Sequence, residues 1–473
     1  MTLLADLRAL LGEANVLAGA DAEPYLTDWR RHATGRALAV ARPGSSAEAA
    51  ATVALCAAAG APIVPQGGNT GQVAAATPDG SGRAVVVSLQ RMNRIRAIDT
   101  ANDTITVEAG CILQAVQDAA RAADRLFPLS LGAQGSCMVG GNLATNAGGT
   151  QVLRYGNARE LCLGLEVVTA EGRLWDGLRG LRKDNTGYSL RDLYLGSEGT
   201  LGLITAATLK LFPLPRAQRT AMLALPGLRE AAAVLALARA GFGAALTGFE
   251  VMSRACLRRV ADVFPQQRLP FGRDAEPAWY ALLELSDSEG EDHAQARFEA
   301  VLADALEQGL IQDAAVASSQ SQSRDFWHLR ESITLALAQS GPCIKHDISL
   351  PVSTLPDFVR DTDRVLEAAW PGVRMMVFGH LGDGNLHYNL LGPEGVSDAD
   401  VRAREDDIQR LVHDRVHAAG GSISAEQGIG MRRVADLERY KSEVELDLMR
   451  RVKQALDPRG LMNPGKVLRG VGR

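Results

Sequence analysis

The segment GSCMVGGNLATNAGG, residues 135–149, is the stretch that decides the fold. Two glycine pairs, at 140–141 and 148–149, flank small polar side chains. Glycine has no Cβ, so such a run lets another group come close to the backbone. A plain core turn rarely needs so many small residues. The segment therefore predicts a loop that wraps a ligand.

A second glycine-rich loop, PQGGNTG at residues 65–71, follows an apolar strand over 61–64. Consecutive backbone N–H groups in such a loop can form a nest for an anion, and Thr70 adds a hydroxyl donor. This arrangement suits a pyrophosphate. An ordinary glycine-rich turn explains the loop equally well. It matches neither a Walker loop nor a GxGxxG dinucleotide motif.

The surrounding sequence indicates an α+β fold. Short β-branched runs at 84–89, 104–110 and 165–172 predict strands, and 112–124 predicts a helix. The prolines of 212–218 mark a break, after which helices and strands alternate again. The last stretch, from about 396, is mainly helical. We therefore expect three regions: residues 1–216, residues 217–420 and a C-terminal segment over residues 421–473.

Composition excludes several classes of function. The 473-residue chain has 46% hydrophobic and 22% charged residues and a net charge of −5, without a basic stripe, so no nucleic-acid partner is expected. The sequence has no uncharged apolar run of about 18 residues and no signal-peptide pattern, so no membrane span is expected. Six scattered cysteines without a CxxC pair indicate reduced thiols in the cytoplasm and no iron–sulfur cluster in this chain.

A histidine pair flanks a turn in FGHLGDGNLHYN, residues 378–389. Asp383-Gly384 predicts a two-residue hairpin, which would place His380 opposite His387 at chelating distance. Glu426 is a candidate third ligand, and two histidines with one carboxylate leave open positions on a metal. Two structural histidines beside a hairpin explain the spacing as well.

A cationic cluster is predicted just upstream. The segment 326–337 has helical apolar periodicity, which puts Arg330 and Thr334 on one face. Lys345 follows a Gly-Pro break. A guanidinium and an ammonium suit a substrate carboxylate. A solvated helix face is the alternative interpretation.

These motifs together resemble one flavoprotein family. The segments PQGGNTG, GSCMVGGNLATNAGG, LRKDNTGYSL at 181–190 and GSEGTLGLIT at 196–205 are similar to the FAD domain of the vanillyl-alcohol-oxidase-like enzymes, and the similarity extends to NPGK at 463–466. Within them the chain resembles the D-2-hydroxyglutarate, D-lactate and glycolate dehydrogenases. The resemblance implies a vanillyl-alcohol-oxidase (PCMH-type) FAD-binding domain, an α+β substrate (cap) domain and a helical C-terminal segment that returns to the flavin.

The resemblance also implies which residues bind FAD. None of the eight histidines lies in a flavin loop, so we expect FAD to bind without a covalent histidyl bond. The expected FAD-binding residues are Pro65, Gln66, Gly67, Gly68, Asn69, Thr70, Gly71, Gly135, Ser136, Gly140, Gly141, Asn142, Thr145, Asn146, Gly148, Gly149, Glu198, Gly199, Gly202, Ile204 and Asn463.

For the substrate site the resemblance implies a divalent metal on His380, His387 and Glu426, with Zn²⁺ expected and Mn²⁺ or Fe²⁺ as alternatives. It also implies that four residues contact the substrate: Arg330, Thr334, Lys345 and Asn389. One position departs from the family. Gln427 stands where the family usually has a histidine proposed as general base, and glutamine cannot take a proton near neutral pH. His346 is a candidate substitute, and water beside the metal is another.

The implied activity is oxidation of a D-2-hydroxy acid, with D-2-hydroxyglutarate the first candidate, to the 2-oxo acid, with the C2 hydride passing to flavin N5. An electron-transfer flavoprotein or a quinone is the expected acceptor, and a homodimer is an expected assembly. The alternative is a flavin subunit of a glycolate or D-lactate dehydrogenase complex that needs an iron–sulfur partner. Gln427 and the lack of cysteine clusters keep this alternative open.

Overall fold

The computed structural model describes residues 2–272 and 277–470. They form two compact units. The first unit consists of the described parts of Met1–Gly148, Tyr155–Leu214 and Glu426–Arg473, and the second of Gly149–Arg154 and Pro215–Ala425. Within the described ranges, none of the helices combines the length and the apolar character needed to cross a bilayer.

The first unit contains a four-stranded sheet, a five-stranded sheet and a two-stranded ribbon. The strands of the four-stranded sheet, in the order β1-β2-β4-β3, are β1 (Val16–Leu17), β2 (Ala37–Ala41), β3 (Ile63–Gln66) and β4 (Ala84–Ser88). Strand β4 is buried along its whole length and pairs in parallel with β2 and β3. A strand covered on both faces favours a continuous apolar run, which is what AVVVS provides.

The five-stranded sheet is antiparallel, in the order β5-β6-β10-β8-β9. Its strands and those of the ribbon are β5 (Ile95–Asp99), β6 (Thr104–Glu108), β8 (Cys162–Val168), β9 (Leu174–Gly177) and β10 (Leu203–Lys210), with β7 (Arg125–Leu126) and β11 (Phe212–Pro213) in the ribbon. One continuous apolar core joins both sheets to the helices beside them.

The helices of the first unit come from residues 3–194 and from the segment after residue 426. They are α1 (Leu3–Leu11), α2 (Ser46–Ala59), α3 (Leu113–Ala122), α4 (Val139–Ala144), α6 (Ala158–Leu161), α7 (Leu190–Tyr194), α14 (Val434–Tyr440) and α15 (Glu443–Leu456); α5 (Val152–Tyr155) spans a junction between the units. Helix α2 begins at Ser45, whose side chain accepts from the Glu48 N–H, and ends at Gly60 in the left-handed conformation.

The second unit is built on an eight-stranded sheet in the order β15-β12-β14-β13-β18-β19-β16, with β17 also paired to β19. The strands are β12 (Ala217–Leu225), β13 (Leu246–Ser253), β14 (Trp279–Asp287), β15 (Asp313–Val316), β16 (Cys343–Ile344), β17 (Asp347–Ser349), β18 (Arg374–His380) and β19 (Asn385–Leu391).

Helices cover both faces of this sheet, because alternate strand residues feed two separate apolar clusters. The helices are α8 (Leu228–Phe242), α9 (Arg254–Val263), α10 (Glu291–Glu307), α11 (Gln320–Ala338), α12 (Leu355–Ala369) and α13 (Asp398–Ala418). Helices α9 and α11 pack on the cluster that includes Tyr280 and Phe378, and the other four pack on the cluster that includes Phe249 and Tyr388. The α11 face of the sheet carries the polar residues described below.

The C-terminal segment is fastened inside the first unit by a buried lysine. Lys453 Nζ on α15 donates to Thr200 O (2.6 Å), Met462 O (2.8 Å) and Asp457 Oδ2 (2.6 Å). The residues after α15 then pair with the edge of β3, since Ile63 N–H donates to Leu461 O at 2.8 Å. A buried ammonium with three acceptors is stable only while all of them are in place.

We expect Lys453→Met to lower the free energy of unfolding by about 3–5 kcal/mol, because it leaves the buried Asp457 carboxylate without its cation. Urea unfolding followed by circular dichroism measures the change. Arg451→Met is the matched control on the same helix: its ion pair with Asp447 is exposed, so it should change the value by less than about 0.5 kcal/mol. Equal effects of the two variants would contradict the role given to Lys453.

Candidate functional site

A deep cleft in the first unit lies between the two predicted glycine-rich loops. It has an empty volume of about 880 Å³, including the part open to solvent. The predicted residues that line it are Pro65, Gln66, Gly67, Gly68, Asn69, Thr70, Gly71, Gly140, Gly141, Asn142, Thr145, Glu198, Gly199, Gly202 and Ile204. The sequence motifs thus converge on one cavity of a size that suits a large cofactor.

The glycines of this cleft have two different physical roles. A Cβ on Gly68 would lie 2.2 Å from Ser136 O, and one on Gly140 would lie 2.7 Å from Ala109 Cβ. These two glycines are needed because loops pack closely. A Cβ on Gly71 or Gly141 would meet nothing within 4 Å, so there the missing side chain leaves open space. That space, together with the Asn142 Oδ1 atom that is buried without a hydrogen-bond partner, fits a bound group with polar edges.

Glu198 is the point at which several of the cleft's segments meet. It has a positive φ of 52° and accepts from Ile429 N–H and Gly430 N–H, both at 2.7 Å. Burial raises the pKa of its carboxyl to about 7, although the two backbone hydrogen bonds oppose this. A non-glycine residue in the left-handed region is strained and persists only where its surroundings hold it. Here Glu198 fastens the segment after residue 427 to the cleft wall.

Six predicted FAD-binding residues do not line the cleft: Gly135, Ser136, Asn146, Gly148, Gly149 and Asn463. Asn463 acts on it indirectly, because its Nδ2 donates to Glu198 O (2.7 Å) and Ala75 O (2.9 Å). Asn146 Oδ1 accepts from Arg159 N–H and so holds its own loop. Sequence reasoning missed the following lining residues, which are mostly small or apolar and give no polar signal: Ala74, Ala75, Ala76, Leu89, Cys137, Met138, Ala144 and Leu203.

In the second unit, the predicted histidine hairpin forms with a different register. The connection has four residues, 381–384, instead of two, so Phe378 and not His380 is opposite His387. The prediction of a direct pair was therefore wrong. The histidines are diagonal neighbours on one face of β18 and β19, and their ring centroids are 5.6 Å apart. Diagonal residues remain within reach of side chains as long as imidazoles.

Glu250 on β13 is the residue that sequence analysis missed here. Its Oε1 accepts from His380 Nδ1 at 2.6 Å and its Oε2 accepts from Arg330 Nε at 2.8 Å. Burial disfavours the charged carboxylate, but His380 and Arg330 beside it hold the pKa of Glu250 below its ordinary value. A glutamate within the apolar strand LTGFEVMS was the available signal, since a buried charge requires a partner. The bond from His380 Nδ1 leaves Nε2 for a metal.

His387 has a carboxylate beside it as well. Its Nδ1 lies 3.6 Å from Asp347 Oδ1, and the two residues are register partners across β17 and β19. Burial, followed by the electrostatic effect of His380, Arg330 and Lys345, holds the pKa of His387 well below its ordinary value. The imidazole is therefore neutral at pH 7, which is the form that binds a metal.

Glu426 follows directly on Ala425, the last residue of the second unit, whose N–H donates to Asp347 O at 3.1 Å. This bond fixes the chain next to the His387 strand. One ligand atom each from His380, His387 and Glu426 lies within 4.8 Å of the others. Two imidazole nitrogens and one carboxylate oxygen are a donor set that fits a divalent transition metal.

The predicted substrate-binding residues belong to the same unit as the two histidines. Arg330 is buried on α11, and its guanidinium stands 4.8 Å from the Phe378 ring centroid. Thr334 is one turn further along the same helix and half-buried. Asn389 is buried on β19, two residues from His387, and its Oδ1 lies 3.3 Å from the His346 N–H. Lys345 is half-buried between β16 and β17.

His346, the suggested substitute base, lies on the other face of the sheet. Its ring contacts Tyr388 and the buried His413 of α13, 6.4 Å and 5.5 Å between ring centroids. Tyr388 belongs to the opposite apolar cluster from Phe378. Because neighbouring strand residues point to opposite faces, His346 does not face the histidine pair. The suggestion was wrong.

Comparisons with known proteins bear on the family and the fold of the chain. Residues 37–177 match the sequence model of an FAD binding domain, and residues 214–467 match that of FAD linked oxidases, C-terminal domain. The chain is 40% identical to a protein of Xanthomonas citri pv. viticola named D-2-hydroxyglutarate dehydrogenase, covering 95% of this chain and 93% of the relative. It is 38% identical to the Bos taurus protein named D-2-hydroxyglutarate dehydrogenase, mitochondrial, covering 94% and 79%.

Among solved structures, p-cresol methylhydroxylase with substrate bound shares the fold with a TM-score of 0.76 at 16% identity, over 99% of this chain and 96% of that chain. These findings confirm the resemblance and the fold class expected from the sequence. The identities and coverage mean that this chain belongs to the D-2-hydroxyglutarate dehydrogenase family of FAD-linked oxidases.

Proposed function

We propose that this protein is an FAD-dependent dehydrogenase that oxidises D-2-hydroxyglutarate to the 2-oxo acid with the help of a divalent metal. The observation that carries the proposal is the shared carboxylate of Glu250, which bonds one candidate metal ligand and one candidate carboxylate-binding arginine. Relatives at 40% and 38% identity carry the name of this activity.

The cleft of the first unit is the proposed FAD site. Residues 65–71 and 140–145 would hold the cofactor without a covalent bond, since none of the described residues that line the cleft is a histidine. When bound, FAD supplies the hydride acceptor of the reaction at N5. Glu198 and Asn463 keep the cleft's loops together.

His380, His387 and Glu426 are the proposed metal ligands. Three nitrogen and oxygen ligands with open positions favour Zn²⁺, with Mn²⁺ and Fe²⁺ as alternatives. When bound, such an ion supplies a Lewis acid that lowers the proton affinity of the substrate hydroxyl. The Glu250 carboxylate accepts from His380 Nδ1, and the Asp347 carboxylate lies 3.6 Å from His387 Nδ1.

Arg330 is proposed to bind a substrate carboxylate. Its Nε is occupied by Glu250, so the terminal nitrogens of the guanidinium are the atoms offered to substrate. Thr334, Lys345 and Asn389 are proposed to complete the substrate site. Because Glu250 bonds both Arg330 and His380, the distance between these two side chains is fixed. Arg330 can then bind the carboxylate of an α-hydroxy acid, while a metal on His380 would bind its hydroxyl.

The proton of the substrate hydroxyl needs an acceptor, and Gln427 cannot serve. With His346 facing the other side of the sheet, we propose water as the proton acceptor; a metal held by His380, His387 and Glu426 would make the hydroxyl acidic enough for water to suffice. Electrons then leave to an electron-transfer flavoprotein or a quinone. We place the protein in the cytoplasm, as a homodimer.

A second candidate function is that of a flavin subunit that works only with an iron–sulfur partner. The observation that favours it is Gln427, in the position of the family's histidine. The six cysteines form no disulfide, and five of them are buried, so any cluster would belong to the partner.

One experiment separates these two functions. Mixed anaerobically with the purified chain, D-2-hydroxyglutarate should bleach the visible absorbance of the flavin rapidly, and D-lactate and D-malate should do so more slowly. Stopped-flow spectroscopy measures the rates. Bleaching by none of the acids would favour the flavin-subunit function. Faster bleaching by D-lactate than by D-2-hydroxyglutarate would identify D-lactate as the better substrate.

Removal of the metal should stop turnover without releasing FAD, because the proposed ligands and the flavin cleft are different residues. Dialysis against a strong chelator, followed by metal analysis, absorbance and steady-state kinetics, measures both. Zn²⁺ added back should restore activity in the wild type but not in His387→Ala. Full activity of a metal-free protein would contradict the proposed metal site.

Arg330→Ala should lower kcat/KM roughly 30- to 5,000-fold through the loss of a charged hydrogen bond to the substrate. This corresponds to a loss of about 2–5 kcal/mol of transition-state stabilisation. Metal content is measured in parallel, since Glu250 then has His380 as its one remaining partner. The control is Arg324→Ala, an exposed arginine on the same helix, which should leave kcat/KM unchanged. Unchanged kinetics for Arg330→Ala would show that Arg330 does not bind the substrate.

A further inference from the structure

A buried carboxyl group on the α11 face of the sheet is unused by the reaction proposed above. Glu284 lies on β14, and its described partners are neutral: Trp327 Nε1–H donates to Oε2 at 2.8 Å and Thr247 Oγ1–H to Oε1 at 3.2 Å. Burial raises the pKa of Glu284, which those donors oppose. Burying a carboxyl group without a cationic partner costs free energy, so we asked what Glu284 contributes at this position.

The indole that Glu284 bonds lies beside the backbone of β13 at Gly248. Gly248 on β13 is the register partner of Glu284. A Cβ on Gly248 would stand 3.2 Å from Cζ2 of Trp327 and 3.4 Å from the Glu284 Cβ. Any larger residue at 248 would push the ring away. The ring is therefore positioned by a hydrogen bond at its edge and by a glycine beneath it.

This ring borders the proposed substrate site. Trp327, Arg330 and Thr334 are at positions i, i+3 and i+7 of α11 and so share one face of the helix. Gly248, under the ring, is two residues from Glu250 on the same face of β13, and Glu250 bonds Arg330 and His380. Trp327 is half-buried, so part of its surface is open.

We propose that Trp327, held by Glu284, is a specificity-determining residue that forms the end wall of the substrate site and sets the chain length of the 2-hydroxy acid. This inference rests on the proposed function. A rigid aromatic wall excludes an acid longer than the site by steric overlap, and a shorter acid leaves a gap beside it. One methylene more or less in such a pocket changes selectivity by about 10- to 200-fold.

The test compares kcat/KM for D-2-hydroxyglutarate with that for its homologue that is one methylene longer, D-2-hydroxyadipate. Trp327→Ala should lower the ratio at least about 10-fold, mainly through KM, because the wall is removed. Glu284→Leu should lower it in the same direction, since the indole loses its partner. Glu284→Gln should keep the wild-type ratio, because the amide can accept from the indole and donate to Thr247.

Leu335→Ala is the matched control, an exposed apolar residue on the same helix, and should leave the ratio unchanged. An unchanged ratio in a folded, FAD-loaded Trp327→Ala protein would overturn the inference. So would equal losses in Glu284→Gln and Glu284→Leu, which would indicate a charge effect of Glu284 on the substrate.

A second measurement needs no turnover. The dissociation constants of unreactive dicarboxylates, from malonate to adipate, are measured by titration calorimetry on wild type and on Trp327→Ala. The inference expects the preferred length to shift upward in the variant, and an unshifted preference would overturn it. Failure of the wild type to oxidise any 2-hydroxy acid would instead refute the proposed function, while this binding series would still decide the role of Trp327.

Discussion

The hydrogen-bonded chain His380–Glu250–Arg330 is the constraint on which the second unit depends. A carboxylate buried to this degree is stable only with both of its hydrogen-bond partners in place. One of its oxygens fixes the imidazole tautomer, and the other fixes the guanidinium. A strand of the sheet thereby sets the distance between the proposed metal ligand His380 and the proposed carboxylate-binding Arg330, which is a more rigid arrangement than two independent loops would provide.

The first unit uses a buried carboxylate in a related way. Glu198 accepts from two consecutive backbone N–H groups and occupies a strained backbone conformation. Asn463 and Lys453 then fasten the C-terminal segment to the same region. The segment that begins at Glu426 is thus held at one end by the flavin cleft, and at the other it leads from Ala425, which is bonded to Asp347.

Several parts of this structure were predictable from the sequence for clear reasons. The glycine-rich loops line one cleft because glycine is required wherever a backbone approaches another group. The helix that carries Arg330 and Thr334 follows from its apolar periodicity. The hairpin register was not predictable in this way, since a four-residue connection replaced the expected two-residue turn. His346 was suggested as a base from its position in the sequence, which does not reveal that its ring packs against Tyr388 and His413.

By itself, the sequence determined the family, and it predicted the residues of the glycine-rich cleft and of the cluster around His380 and Arg330, because those depend on residue type and local spacing. The partners of those residues were decided only by the tertiary structure. Glu250 is 130 positions from His380 and 80 from Arg330, and Glu284 is 43 from Trp327. Such pairs form where strands and helices distant in sequence pack together, and burial then makes each hydrogen bond necessary, which no local pattern records.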